Sequence, residues 1–192
     1  MTEAESTPTP AAGTDVPEPA EPLAMPDVEA AFEEIEVDSP LVGIIMGSAN
    51  DKPKMQPAGK ALEEAGIRYE VRVMSAHRTP DQVVEYCKAA QMRGLKAIIA
   101  GAGMSAALPG VAAAHTSLPV IGVPIAGKNL GGMDALLAIA QMPPGVPVAT
   151  VAVGSAGAKN AVVLAARIMA LKDPEVARAL AEYRETLAQG GK

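Results

Sequence analysis

From residue 41 onward, short apolar runs alternate with longer segments in which apolar residues recur at helical spacing. The apolar runs predict five strands, at residues 41–46, 69–74, 96–102, 120–123 and 147–153. The intervening patterns predict helices at residues 53–65, from Pro80 to about 93, up to about 115, and at 133–141, 157–171 and 174–188. Strand and helix alternate throughout, which predicts an α/β fold with a parallel sheet and helices on both faces.

The edge of that sheet at which the strands end is the expected ligand site. Residues 97–100 are apolar without interruption, which indicates a strand buried on both faces. Sheets of this kind bind ligands outside the carboxyl ends of their strands. The last helical pattern places Val176, Leu180, Tyr183 and Leu187 along one face, which predicts packing on its own domain or on a neighbouring subunit.

Charge is distributed unevenly along the 192 residues. Residues 1–38 contain eleven acids, six prolines and no lysine or arginine, which predicts a disordered acidic tail followed by one folded domain over residues 39–192. The chain has 22 acids and 16 bases, so the domain retains eleven acids and sixteen bases, a net charge of +5. That charge suits a small anionic ligand. The lack of a lysine or arginine run and the scarcity of aromatic residues argue against nucleic-acid binding.

Other features of the sequence narrow the class of protein. Cys87 is the single cysteine, which excludes an internal disulfide, and its helical position predicts a buried small side chain. No uninterrupted apolar stretch reaches the roughly 18 residues of a membrane span. The N-terminus lacks the basic start and apolar run of a signal peptide, so a cytoplasmic protein is expected.

The loop after the first predicted strand suits a phosphate. Gly47 allows a tight turn, Ser48 and Asn50 offer polar side chains, and the following helix start offers free N–H groups. The structural alternative is that Asp51 simply caps its helix. The loop contains neither a P-loop nor the dinucleotide-binding glycine pattern.

The loop after the second predicted strand contains His77 and Arg78. Histidine exchanges protons near neutral pH, and arginine binds phosphate through two nitrogens. A structural role for the pair stays open, although its position at the strand ends favours chemistry. Thr79, Pro80 and Gln82 follow in the pattern of a capping box. His115 ends a helix, where a structural role is preferred.

The loop after the third predicted strand is rich in small residues, from Gly101 to Gly110. Such a run predicts close approach of a ligand or of another backbone, and tight subunit packing is the alternative. The pattern does not show which of the polar residues near later strand ends belong to a functional site; these residues are Lys128, Asn129, Asp134, Lys159 and Asn160.

Several motifs in consecutive order resemble one family, the N5-carboxyaminoimidazole ribonucleotide mutases. They are residues 42–48, 75–80, 100–103, 118–124, 141–148 and 158–161, and the resemblance covers about residues 41–171. It implies a flavodoxin-like three-layer α/β/α sandwich with a five-stranded parallel sheet and a C-terminal helix. It also implies a cytoplasmic homo-octamer that acts on a small ribonucleotide without metal or organic cofactor, in transient contact with an ATP-dependent carboxylating enzyme.

The resemblance implies a reaction of de novo purine biosynthesis, in which a carboxylate moves from the exocyclic nitrogen of an aminoimidazole ribonucleotide to a ring carbon. Carbon dioxide is released and recaptured in a closed site. His77 is then the catalytic acid and base. The substrate-binding residues that the resemblance implies are Ser48, Asn50, Asp51, Ser75, Arg78, Gly101, Ala102, Gly103 and Leu108.

Particular positions bear on which activity is expected. Related enzymes that fix carbon dioxide directly usually have lysine at the position of Arg78, so Arg78 favours the mutase branch. The family usually has serine at Asn50, glycine at Met104 and histidine at Ala107. These departures keep two alternatives open: a direct aminoimidazole ribonucleotide carboxylase, and a non-catalytic nucleotide-binding relative.

Overall fold

The computed structural model describes residues 39–190, so the predicted tail over residues 1–38 lies outside the described residues. The strands are β1 (Val42–Met46), β2 (Tyr69–Val73), β3 (Ala97–Gly103), β4 (Val120–Ile125) and β5 (Ala149–Thr150). All neighbouring pairs are parallel, and the order across the sheet is β2-β1-β3-β4-β5. This is the flavodoxin-like order, which confirms the predicted fold class.

Helices connect the strands and extend the chain beyond β5. They are α1 (Lys52–Glu64), α2 (Pro80–Ala90), α3 (Leu108–Ala114), α4 (Met133–Ala140), α5 (Ser155–Met169) and α6 (Pro174–Ala188), and a short 3₁₀ turn, Ala49–Asp51, precedes α1. Each corresponds to a predicted helix, with ends that differ by at most about three residues.

Strands β1, β3 and β4 are buried on both faces because they alternate apolar side chains between two cores, whereas Val71 and Val73 of the edge strand β2 are 46% and 44% exposed. In β1 and β3, Ile44 and Ile99 point into the core formed with α1, α5 and α6. Their neighbours Ile45 and Ile98 point into the core formed with α2, α3 and α4. All four are at most 1% exposed, and burying each stabilises the fold by about 1.5–3 kcal/mol.

Strand β5 is shorter than predicted. The pattern predicts a strand over residues 147–153, but only Ala149 and Thr150 pair with β4. Pro147 has no N–H to donate, so the ladder cannot begin there. Beyond β5, Val151 N donates to Gly122 O at 3.1 Å and Gly154 N donates to Pro124 O at 2.8 Å. The segment therefore stays beside β4 without forming a regular strand.

Helix α6 packs on its own domain through its first half. The Asp173 carboxylate accepts hydrogen bonds from Glu175 N at 3.0 Å and Val176 N at 3.2 Å, which fixes the helix start. Val176 is buried, whereas Tyr183 and Leu187 are 39% and 45% exposed. The predicted apolar face is thus only partly covered within the described residues. No helix in residues 39–190 has the length and apolar character needed to cross a membrane.

Candidate active site

The loops that follow β1, β2, β3 and β4 lie side by side at the carboxyl edge of the sheet. The strand order reverses between β1 and β3, which is where sheets of this kind bind ligands. Hydrogen bonds continue past the strand ends: Met74 N donates to Met46 O at 3.0 Å, and Gly47 N donates to Gly101 O at 3.3 Å. The starts of the three predicted site loops are therefore held together.

In the first loop, serine rather than aspartate caps the turn. Ser48 Oγ accepts a hydrogen bond from Asn50 N at 3.2 Å. Asp51 stands at the N-cap position of α1 but makes no capping bond through its side chain. The alternative in which Asp51 caps its helix is therefore wrong, because Ser48 already bonds the turn. The Asp51 carboxylate makes no bond to the N–H groups that start α1, and it lies at the rim, which is the carboxyl edge of the sheet.

The Asp51 carboxylate is half-buried, and its charge is only partly compensated. Burial raises the pKa of Asp51, and a hydrogen bond from the Ser48 backbone and the nearby Arg78 charge oppose that rise. The direction of the pKa shift shows that the ionised carboxylate is less stable here than in water. A ligand with hydroxyl groups can replace the water that this carboxylate has lost.

Arg78 joins the second loop to the first. Its Nη2 donates to Gly47 O at 2.6 Å, and its backbone N donates to Ser75 Oγ at 3.3 Å. Ser75 is buried, at 9% exposure, whereas the His77 side chain is exposed. The structure thus brings Arg78 against the first loop, and Ser75 and His77 lie in the same turn as Arg78.

Thr79 is the N-cap and Pro80 the first residue of α2, as predicted, but the predicted capping box is wrong. Thr79 makes no side-chain bond to the start of α2. Its Oγ1 instead accepts from Ser75 N at 3.0 Å and donates to Ser75 O at 3.3 Å. The sequence does not distinguish the two arrangements, because a threonine before proline has the same spacing whether its hydroxyl bonds to the helix or to the preceding turn.

Gly101 and Gly103 lie in the last residues of β3 rather than in the predicted loop, because both pair with neighbouring strands, and packing inside the domain requires glycine at each. A Cβ on Gly101 would lie 2.5 Å from Met55 Sδ, and one on Gly103 would lie 2.9 Å from Ile125 O. The predicted close approach is therefore confirmed at Gly103, where the approaching backbone is that of β4. Ala102 and Leu108 are 5% and 2% exposed, so their side chains belong to the core and only their backbones can meet a ligand.

Gly47 differs from these two glycines. Its φ lies outside the left-handed region, and a Cβ there would meet no heavy atom within 4 Å. Neither a left-handed turn nor internal packing therefore requires glycine at this position. The open space beside Gly47 lies at the rim, next to the Arg78 guanidinium.

The residues after β3 form a strained turn. Met104 and Ala106 adopt φ values of 56° and 37°, in the region that favours glycine. The Met104 side chain is 69% exposed. Glycine adopts this φ without strain, so the left-handed φ accounts in physical terms for the glycine that the resemblance implies at this position. Strain of this kind clusters at functional sites.

The remaining candidates have other roles. Cys87 is buried as predicted, and burial raises the pKa of its thiol to about 11, which makes it a poor nucleophile. His115 ends α3 and donates from Nδ1 to Val111 O at 2.8 Å, which confirms the structural interpretation. Within residues 39–190, no group of three or more histidine, cysteine, aspartate or glutamate side chains is arranged to hold a metal ion.

The unranked polar residues lie around the later strand ends. Lys128 and Asn129 are exposed in the loop after β4, and Lys159 and Asn160 are exposed in α5. Asp134 Oδ1 is buried and has no hydrogen-bond partner among the described residues. None of these side chains makes a described hydrogen bond to the loops that contain Ser48 and Arg78.

The arrangement suits an anionic ligand that exchanges protons. The Arg78 guanidinium lies against the turn that begins α1, and Ser48 and Ser75 stand in the two loops that it joins, which suits binding of a phosphate. An exposed imidazole stands beside them. The half-buried Asp51 carboxylate adds an acceptor for hydroxyl groups, as on a ribose.

Comparison with known proteins points to one family. The family model described as AIR carboxylase matches residues 41–190. The N5-carboxyaminoimidazole ribonucleotide mutase of Bacillus subtilis is 57% identical over 150 residues, which cover 78% of this chain and 93% of the relative. The mutase of Pyrococcus abyssi is 55% identical over 153 residues, which cover 80% of this chain and 87% of the relative.

A solved structure shows the same fold. The crystal structure of Treponema denticola PurE superposes with a TM-score of 0.71 at 35% sequence identity, covering 79% of this chain and 93% of that chain. The agreement covers nearly the whole of the other chain.

Proposed function

The chain belongs to the AIR carboxylase family, and on that basis we propose that it is a mutase of de novo purine biosynthesis. It converts N5-carboxyaminoimidazole ribonucleotide to 4-carboxy-5-aminoimidazole ribonucleotide. The observation that carries this function is the identity of 55–57% with proteins named as this mutase, over most of both chains.

The proposal assigns the substrate phosphate to the rim between the first two loops. Arg78 provides the positive charge, and Ser48 and Ser75 provide hydroxyl groups. Support comes from the 2.6 Å bond of Arg78 to Gly47 O, which keeps the guanidinium beside the phosphate-suited turn. Asp51 accepts hydrogen bonds from the ribose. The backbones of Asn50, Gly101–Gly103 and Leu108 complete the pocket.

His77 is the proposed acid and base. The bond between the exocyclic nitrogen and its carboxylate breaks, carbon dioxide leaves, and the imidazole donates a proton to that nitrogen. The ring carbon then attacks the same carbon dioxide, and the imidazole removes the proton that this carbon carried. No atom is gained or lost, as an isomerisation requires. The exposure of His77 at the rim supports this role.

Direct carboxylation is the second candidate, because the matching family model is described as AIR carboxylase. That reaction joins aminoimidazole ribonucleotide to carbon dioxide without a carbamate precursor. Arg78, at the position where direct carboxylases usually have lysine, favours the mutase.

A direct assay of the purified chain separates the two. One arm supplies N5-carboxyaminoimidazole ribonucleotide at low bicarbonate, and the other supplies the uncarboxylated nucleotide with bicarbonate. Rapid turnover in the first arm is expected. Turnover confined to the second arm assigns the chain to direct carboxylation, and turnover in neither arm by a folded sample favours a non-catalytic nucleotide-binding protein.

The proposal includes a homo-octamer in the cytoplasm, in transient contact with the ATP-dependent carboxylating enzyme. Leu130, Met133 and Leu137 support self-association, because they are 49–64% exposed and the last two lie one turn apart on α4. Sedimentation measurements test the octamer. A monodisperse monomer at micromolar concentration would contradict it.

A further inference from the structure

The turn that contains His77 is closed by a residue that has no role in the proposed chemistry. Thr79 Oγ1 accepts from Ser75 N at 3.0 Å and donates to Ser75 O at 3.3 Å. Thr79 N also donates to Ser75 O at 2.8 Å. Three hydrogen bonds thus connect one residue on each side of the segment Ala76, His77 and Arg78.

This use of the hydroxyl is unusual for threonine at a helix start. At the N-cap position, a threonine hydroxyl normally accepts from the second or third N–H of its helix. Thr79 makes no such bond, and its φ and ψ of −136° and 56° turn the chain away from standard cap geometry. The Thr79 hydroxyl therefore makes no hydrogen bond to α2, and both of its hydrogen bonds are to the turn that precedes the helix.

The closed turn also fixes the position of the phosphate-suited arginine. Arg78 N donates to Ser75 Oγ at 3.3 Å, and Arg78 Nη2 reaches Gly47 O at 2.6 Å. Ser75 is therefore held by Thr79 and in turn holds the backbone of Arg78. His77 lies between these fixed points and makes no described hydrogen bond of its own, so its position depends on the turn.

We propose that Thr79 is a positioning residue, whose hydroxyl closes the turn of Ser75–Thr79 and so aims the His77 imidazole at the substrate. This inference rests on the proposed function for its catalytic consequence. Proton transfer requires the imidazole within hydrogen-bond reach of the reacting atoms, and a displacement of about 1 Å can cost roughly 100-fold in rate. The phosphate grip of Arg78 tolerates a looser turn better, because charge attraction varies less steeply with distance.

The test compares Thr79→Val, Thr79→Ser and a matched control in the full-length protein. Valine keeps the shape of threonine but leaves Ser75 N without its hydroxyl partner. We expect kcat for N5-carboxyaminoimidazole ribonucleotide to fall about 10- to 100-fold in T79V, with KM changed by less than about threefold. T79S should remain within about threefold of wild type, since serine keeps the donor and the acceptor.

The control is Thr116→Val. Thr116 Oγ1 accepts from Leu118 N at 3.2 Å, in a half-buried loop at the opposite edge of the sheet. T116V likewise leaves one backbone N–H without its hydroxyl partner and should keep wild-type kcat. T79V and T116V should melt within a few degrees of each other, so that a rate loss in T79V cannot be assigned to unfolding.

Hydrogen exchange of the peptide containing residues 75–79 gives a readout that needs no activity. Faster exchange in T79V, and wild-type exchange in T79S, is expected. Wild-type kcat in T79V, equal rate losses in T79V and T79S, or unchanged exchange in T79V would overturn the proposal. If the wild-type protein lacks mutase activity, the proposed function fails by itself, and the exchange measurement still decides whether Thr79 holds the turn.

Discussion

His77 owes its accessibility to the way its neighbours are bonded. Ser75 and Thr79 bond to each other, and Arg78 N donates to Ser75 Oγ, so the backbone on both sides of His77 is fixed. The imidazole is exposed and makes no hydrogen bond within residues 39–190. An unbonded imidazole in a fixed turn is available to a substrate without first breaking an internal contact.

Replacing His77 with asparagine should abolish catalysis and preserve binding. Asparagine fills similar space and forms hydrogen bonds, but it does not exchange protons near neutral pH. We expect kcat to fall about 10²- to 10⁴-fold, the usual contribution of an acid–base group. Calorimetric titration with 4-carboxy-5-aminoimidazole ribonucleotide should give a Kd close to that of wild type.

His115→Asn is the matched control, because His115 caps α3 through its bond to Val111 O and lies away from the rim. Its kcat should be that of wild type. Full activity in H77N would remove His77 from the mechanism. Loss of binding together with activity would show that His77 holds the substrate instead.

Asp51 should lower stability at neutral pH while serving the ligand. Burial raises its pKa above the ordinary 3.8, so the folded state binds a proton more tightly than the unfolded state. The contribution of Asp51 to the free energy of unfolding therefore falls as the pH rises from about 4 through the raised pKa. We expect Asp51→Asn to melt at a higher temperature than wild type at pH 7, with a difference that shrinks toward pH 4.

Thermal melts of both proteins across pH 4–8 measure this effect. Asp81→Asn serves as the control, since Asp81 is an exposed aspartate in the first turn of α2. A lower melting temperature of D51N at pH 7 would show that attraction to Arg78 outweighs the cost of burial. D51N should also bind the ribonucleotide more weakly, which would place stability and function in opposition at this residue.

The sequence does not determine which hydrogen-bond partner a polar side chain takes when several lie nearby. Asp51 and Thr79 both occupy N-cap positions by spacing, and neither caps a helix through its side chain. At the first helix Ser48 Oγ accepts from Asn50 N in the place of the Asp51 carboxylate, and at the second the Thr79 hydroxyl bonds to Ser75. The hydrophobic pattern predicts which residues lie at a strand end. The hydrogen-bond partner of each side chain depends on turn geometry, which the pattern does not contain.

The sequence predicts the order of the strands and helices better than it predicts the residue at which each one ends. Buried strands are apolar throughout and their helices are amphipathic, so β1, β3 and α5 follow directly from the pattern. Strand β5 is the exception, because its apolar residues flank Pro147 and only Ala149 and Thr150 find partners on β4. An apolar run indicates burial, and pairing also requires a free N–H and a neighbour in register.

The packing of α5 against the segment before it depends on Gly157. A Cβ at Gly157 would overlap the carbonyl oxygen of Ala152, which belongs to the backbone and cannot rotate away. We expect Gly157→Ala to destabilise the fold by about 3 kcal/mol or more. For a chain of this size that corresponds to roughly 6–12 °C in melting temperature.

Gly47→Ala is the control, because the same methyl group there meets no heavy atom within 4 Å. Its stability should stay within about 0.5 kcal/mol of wild type. Thermal unfolding of both variants makes the comparison. Equal melting temperatures for G157A and wild type would show that α5 can shift away from Ala152 at little cost.

The molecule combines a mildly basic domain with an acidic N-terminal segment of different composition. Residues 39–192 have a net charge of +5 and residues 1–38 a net charge of −11. The family match spans residues 41–190, so the segment that resembles the relatives contains every proposed site residue. Few large apolar side chains occur in the sequence of residues 1–38.

Deleting residues 1–38 should therefore leave folding, assembly and turnover intact. The truncated chain retains all five strands, both cores and the Ser75–Thr79 turn. We expect kcat within about twofold of wild type and an unchanged melting temperature, because no core residue is removed.

The net charge of the chain changes from −6 to +5 on truncation. The KM for an anionic ribonucleotide should therefore fall at low salt and match that of wild type near 0.15 M, where screening acts over about 8 Å. Steady-state kinetics at two salt concentrations, with sedimentation on the same samples, measure these effects. A large loss of turnover or assembly at both salt concentrations would instead make the acidic segment part of the working enzyme.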